Sequence, residues 1–104
     1  MASGILGQTD ITSTNTDTSI YTVPASKTAS LTLSLVNRGT AAATIRVGLC
    51  ASGSIGNAEF IEYETTLPPK GVLERTGIVM PATKQLVVRT DTANISASAY
   101  GFEE

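Results

Sequence analysis

Apolar and polar residues alternate with a period of two along much of this chain. Leu31, Leu33 and Leu35 are separated by Thr32 and Ser34, and Ile45, Val47 and Leu49 by Arg46 and Gly48. Successive side chains of a strand point to opposite faces, so each run presents one apolar face. A helix would need apolar residues three and four apart. That spacing would scatter the leucines among Thr and Ser, which are weak helix formers. Asn37-Arg38-Gly39-Thr40 lies between the runs and reads as a turn, with Gly39 supplying a positive φ. The stretch from Leu31 to Leu49 is therefore predicted to be a β-hairpin with one buried face, and Leu33 and Val47 to be core residues.

Shorter runs repeat the pattern on either side. Ile20 to Val23 reads as a strand ended by Pro24, with a turn over Pro24-Ala25-Ser26-Lys27. Glu59 to Thr66 reads as a strand with Phe60, Glu62 and Glu64 on one face and Ile61, Tyr63 and Thr65 on the other. Pro68-Pro69-Lys70-Gly71 is a turn. Val72 to Met80 resumes strand character, with Gly77 as a candidate bulge. Gln85 to Thr90 is the next strand. Asp91-Thr92-Ala93-Asn94 is predicted to close a hairpin onto Ile95 to Tyr100, with Ile95, Ala97 and Ala99 inward and Phe102 sealing the core.

About seven short strands bounded by turn signals indicate an all-β fold, a sandwich or small barrel. One apolar and one polar face per strand favours a single antiparallel β-sandwich, Ig-like or jelly-roll-like. Residues 1–18 stand apart. Ile5 and Leu6 form an isolated apolar pair, and Asp10 to Ser19 is almost wholly polar. Such a tract cannot offset its ordering entropy alone. The expected organisation is an extended N-terminal arm, residues 1–18, and a sandwich domain, residues 19–104. The arm is either a frayed end or a segment whose Ile5 and Leu6 dock on a neighbouring subunit and serve assembly rather than folding.

Composition narrows the function. The chain has 104 residues, 41% of them hydrophobic, with no Trp, two Phe and three Tyr, so Val, Ile, Leu and Ala must fill the core. Only 15% are charged and the net charge is −2. No basic patch suggests nucleic acid. No apolar run approaches the roughly 18 residues of a membrane span, and the N-terminus lacks the pattern of a signal peptide. His is absent, which removes the usual general base and every Ser–His or Cys–His nucleophile. The single Cys50 reads as a small buried hydrophobe.

Candidate chemistry fades on inspection. Asp10 and Asp17 match no calcium-loop spacing. Ala51 to Ala58, ASGSIGNA, lacks the Gly-Lys-Ser/Thr ending of a phosphate-cradling loop and reads as a plain connection. Glu59, Glu62 and Glu64 lie on one strand, whereas a glycosidase needs two carboxylates facing each other across a sugar. A solvated strand edge accounts for them better. Asn94-Ile95-Ser96 matches a glycosylation acceptor by chance. A sugar-binding module would need exposed aromatics, and Tyr21, Tyr63 and Tyr100 are the tyrosines available. No catalytic residue, metal ligand or cofactor is expected, and the chain is not expected to be an enzyme.

Several stretches resemble a group of small tailed-phage virion proteins, similar ones occurring in cyanophages. They are Ile5-Leu6-Gly7-Gln8, Tyr21 to Lys27, Val36-Asn37-Arg38-Gly39, Phe60-Ile61-Glu62-Tyr63, Val72 to Ile78 and Ala99-Tyr100-Gly101-Phe102. The likeness spans nearly the whole chain, through turn and strand residues. It implies an Ig-like sandwich located in the virion and serving as a capsid decoration (cement) protein, or alternatively as a tail, neck or fibre component. The partner it implies is the major capsid protein or another virion protein. A homo-oligomer, with a trimer among its forms, is expected; nucleic acid and membrane are not.

Overall fold

The computed structural model describes residues 3–104, and these contain eight strands and no helix. The strands are β1 (Ser3–Ile11), β2 (Thr18–Thr22), β3 (Ala29–Asn37), β4 (Ala43–Cys50), β5 (Phe60–Leu67), β6 (Val72–Met80), β7 (Gln85–Thr90) and β8 (Ile95–Glu103). They form two four-stranded sheets, ordered β1-β8-β3-β6 and β2-β7-β4-β5. All pairings are antiparallel.

The order has a simple logic. The first strand pairs with the last, β2 with β7, β3 with β6, and β4 with β5. Only β4 and β5 are neighbours in both chain and sheet; every other connection crosses between sheets. This is the wound, double-sheet arrangement of a jelly roll. Of the two sandwich types expected, the Ig-like one is not observed.

The alternating runs behave as the sequence demands on burial. β3 reads buried at every second residue, and Leu33 and Val47 are 1% and 0% exposed. Leu31, Leu33, Leu35, Ile45, Val47, Leu86, Val88, Ile95, Ala97 and Ala99 join one core. Each fully buried Leu, Ile or Val contributes roughly 1.5–3 kcal/mol by area transfer.

Pairing departs from expectation. β3 and β4 lie in opposite sheets, so Leu31 to Leu49 is an arch and not a hairpin; β7 and β8 are likewise split. The physical reason is that period-two alternation fixes which side chains point inward but not which strand lies alongside. Asn37, 1% exposed, shapes the arch. Its Nδ2 donates to the carbonyls of Ala41 (2.9 Å) and Leu67 (3.2 Å), and its Oδ1 accepts from Gly39 N–H at 2.9 Å. Gly39 does not take a positive φ, because the Asn37 side chain makes the turn; Gly77, at φ 72, does, where an extra residue of β6 bulges against β3.

The arm expected over residues 1–18 is also corrected. Met1 and Ala2 lie outside the described residues. Ser3 to Ile11 is an edge strand paired with β8 along its length, and Ile11 is 1% exposed in the core. The boundary expected between residues 18 and 19 is therefore absent. An edge strand is hard to see in sequence because it has one neighbour, and here its inward positions include Gly7 and Thr9. Gly7 is small for cause: a Cβ there would collide with the Ile20 carbonyl oxygen.

Phe102 does not seal the core. It is 43% exposed on the outer face of its sheet. The inward position beside it is Gly101, where a Cβ would strike the Ser30 carbonyl of β3.

Candidate functional site

The two outer faces of the sandwich differ in chemistry. On the first sheet, β8 lies between β1 and β3, and β3 lies between β8 and β6. Phe102 and Val79 stand opposite Ser30 from its two sides, while Ile5 stands opposite Tyr100, which in turn faces Thr32. Directly opposed residues share a face, so Ile5, Tyr100, Phe102 and Val79 form one outward cluster. Ile5 and Val79 are 63% and 62% exposed. The Tyr100 hydroxyl donates to Glu74 at 2.9 Å, which pushes its pKa up and holds the ring in place. Elsewhere the same face carries Gln8, Ser34, Ser98 and Asp10. Clustered exposed apolar groups with a polar surround mark interaction surfaces.

Ile5 and Leu6, the residues expected to bind a partner, are thus separated. Ile5 belongs to this cluster. Leu6 falls at a β1 bulge and packs against the core. Tyr100, Phe102 and Val79 were not anticipated as surface companions. Strand parity could have shown it for β8, since Ile95, Ala97 and Ala99 inward puts Tyr100 and Phe102 outward.

The outer face of the second sheet is polar and partly roofed. The 51–58 loop folds back over β4: Ile55 covers Gly48, where a Cβ would meet it at 2.6 Å. Cys50 is 0% exposed, and burial pushes its thiol up to about 11. Asp17 anchors this loop by accepting from Ile55 N–H at 3.0 Å, and Glu59 accepts from Ala51 and Gly56 N–H at 2.9 and 2.8 Å. These two backbone donors hold the Glu59 carboxyl below its usual range. The loop expected to be a plain connection is therefore a cover.

β5 is one of the two edge strands of this sheet, and bulges break its simple alternation. Tyr63 and Glu64 together oppose Arg46, and Glu64 has φ 54. Arg46 binds Glu64 through Nε and Nη2 at 2.9 and 3.0 Å, and its guanidinium lies 4.8 Å from the Tyr63 ring centroid. The Arg46 pair lowers the Glu64 pKa. Phe60 meets the Tyr63 ring edge-on, with centroids 4.8 Å apart. Glu62, opposite the inward Val47, pairs with Arg75 of β6 at 2.6 Å, bridging the sheets at their open side. The three glutamates thus have separate structural partners. An inward charge on an edge strand also discourages edge-to-edge pairing.

Tyr21 is 9% exposed and donates its hydroxyl to Glu103; burial and this carboxylate push it above the ordinary tyrosine range. Asp10 pairs with Arg38, and Asp17 lies 3.6 Å from Arg89. Among the described residues no three His, Cys, Asp or Glu side chains gather as a metal site. Comparison with protein-family models, curated proteins and solved structures gives no match.

Proposed function

We propose that this chain is a non-enzymatic phage virion protein that decorates the outer surface of the head, with the outer face of its first sheet seated on the major capsid protein. The observation that carries this reading is the cluster of Ile5, Tyr100, Phe102 and Val79, exposed together on one sheet face. Apolar groups held on three strands of a four-stranded sheet form a rigid surface that loses little entropy on docking. The resemblance to small tailed-phage virion proteins supplies the partner class. A capsid lattice repeats a contact many times, and clustering of copies into a symmetric homo-oligomer would link several modest contacts into one strong attachment.

Rebinding to particles stripped of this protein tests the reading. Central aromatics of an interface cost about 2 kcal/mol or more when removed, which is roughly thirtyfold in affinity. Phe102→Asp should fold normally, because the position is exposed, and should lose particle binding by at least that factor. Binding of this variant at the wild-type level would overturn the assignment of the face.

A further inference from the structure

On the outer face of the second sheet, Arg46 of β4 stands directly opposite Arg89 of β7. Like charges directly opposite on neighbouring strands are destabilising. Here each is offset by a carboxylate, Glu64 for Arg46 and Asp17 for Arg89. A fold that breaks a local rule and then compensates for it tends to do so at a functional site. The two arginines line a cavity of about 200 Å³ together with Asn15, Thr44, Glu64 and Asp91.

Much of the hydrogen-bonding capacity in this cavity is unspent. Arg46 uses Nε and Nη2 on Glu64, leaving Nη1. Asp91 uses Oδ1 to accept from Thr44 N–H at 2.8 Å, leaving Oδ2. The Arg89 guanidinium stands 3.6 Å from Asp17, beyond hydrogen-bond distance. The Asn15 N–H donates to the Thr90 carbonyl at 2.7 Å, which fixes its backbone at the cavity wall. Unused donors and acceptors therefore both line this small space, which is built on β4, β5 and β7 with Asn15 and Asp91 from adjoining turns.

That distribution selects a ligand class. Glu64 and Asp91 oppose an anion, and Arg46 and Arg89 oppose a cation. A hydroxyl both donates and accepts, so a neutral ring bearing several hydroxyls satisfies both kinds of wall. The volume is below the roughly 300–1,000 Å³ of clefts that take drug-sized ligands, which suits one sugar ring. Tyr63, 60% exposed, lies outside the cavity lining but against the Arg46 guanidinium, at the edge of the site. We propose that this cavity is a binding site for a neutral saccharide, held by Arg46, Arg89, Asn15 and Asp91 with Tyr63 at its rim. It lies on the sheet opposite the proposed docking face, so a docked copy would display it outward.

The test uses the isolated full-length chain and does not depend on particles. Amide chemical shifts are followed while methyl glycosides of glucose, galactose, mannose and N-acetylglucosamine are added, with sialic acid and inorganic phosphate as anionic probes. At least one neutral glycoside should give saturable shifts centred on Asn15, Thr44, Arg46 and Asp91. Arg89→Met should weaken that binding about tenfold, the loss expected when charge-assisted hydrogen bonds go. Asp91→Asn keeps the oxygen that caps Thr44, and should weaken binding too, so the assignment remains testable if the arginine variant fails to fold. No saturable neutral glycoside, saturation at another surface, or binding of the anions alone would overturn the proposal.

Discussion

Asn37 at the end of β3 donates to the carbonyl of Leu67 at the end of β5, joining the two sheets at the arch. The same side chain serves Ala41 and Gly39, and its backbone N–H donates to Gly71 at 2.9 Å. One buried residue therefore holds two chain reversals together, the β3–β4 arch and the β5–β6 turn.

Replacing it should be costly. Asn37→Ala would leave two carbonyls and one N–H short of a partner in a buried place. Each such loss costs about 1–3 kcal/mol, with relaxation and water recovering part. Urea unfolding should show a loss of about 2–4 kcal/mol, whereas a loss under about 0.5 kcal/mol would be typical of a surface site.

Residues 1–8 should matter to stability. Of these, residues 3–8 supply most of the β1 ladder to β8, together with Leu6 against the core. Their removal would uncover β8 as a new edge. The truncated chain should melt at a clearly lower temperature than the full chain; an unchanged melting temperature would mean that β1 contributes nothing to the fold.

Much of this architecture was legible in the sequence, and the failures have physical causes. β6 and β7 fall where alternation and flanking prolines put them, and Leu33, Val47, Ile95, Ala97 and Ala99 are inward as their parity requires. Sheet membership was not legible, because an inward face looks the same in either sheet. β1 was hidden by Gly7 and Thr9 at inward positions. The cavity on the second sheet was invisible for a related reason: Arg46 and Arg89 are 43 positions apart and meet only through the β4–β7 pairing. Tyr63 and Glu64 read as opposite faces until a bulge set both against Arg46.

Cys50 should be inert in the folded protein. It is fully buried beside the loop that carries Ile55, and its thiol is pushed up to about 11, chiefly by burial. The thiolate is the reactive form. At about pH 8 a disulfide-exchange reagent should label it only after denaturant is added. Rapid labelling of native protein would show that the 51–58 loop opens readily.

Acid should weaken the outer face of the second sheet. Glu59 is depressed by the Gly56 and Ala51 N–H groups, and Glu64 by Arg46. A carboxyl with a lowered folded pKa adds stability above its unfolded pKa, about 4.3 for Glu, and loses it as pH falls through the folded value. Melting temperature should therefore hold above about pH 5 and decline below about pH 4, with Glu59→Gln showing a smaller decline. A melting temperature that rises on acidification over that window would contradict the assignment.

The most direct test of the central claim is a cryo-EM reconstruction of the intact particle at side-chain resolution. This protein should occupy every equivalent lattice position on the head surface, with Ile5, Tyr100, Phe102 and Val79 against the major capsid protein and the Arg46–Arg89 face toward solvent. Copies confined to the portal, tail or baseplate, or docked through the Arg46–Arg89 face, would contradict it.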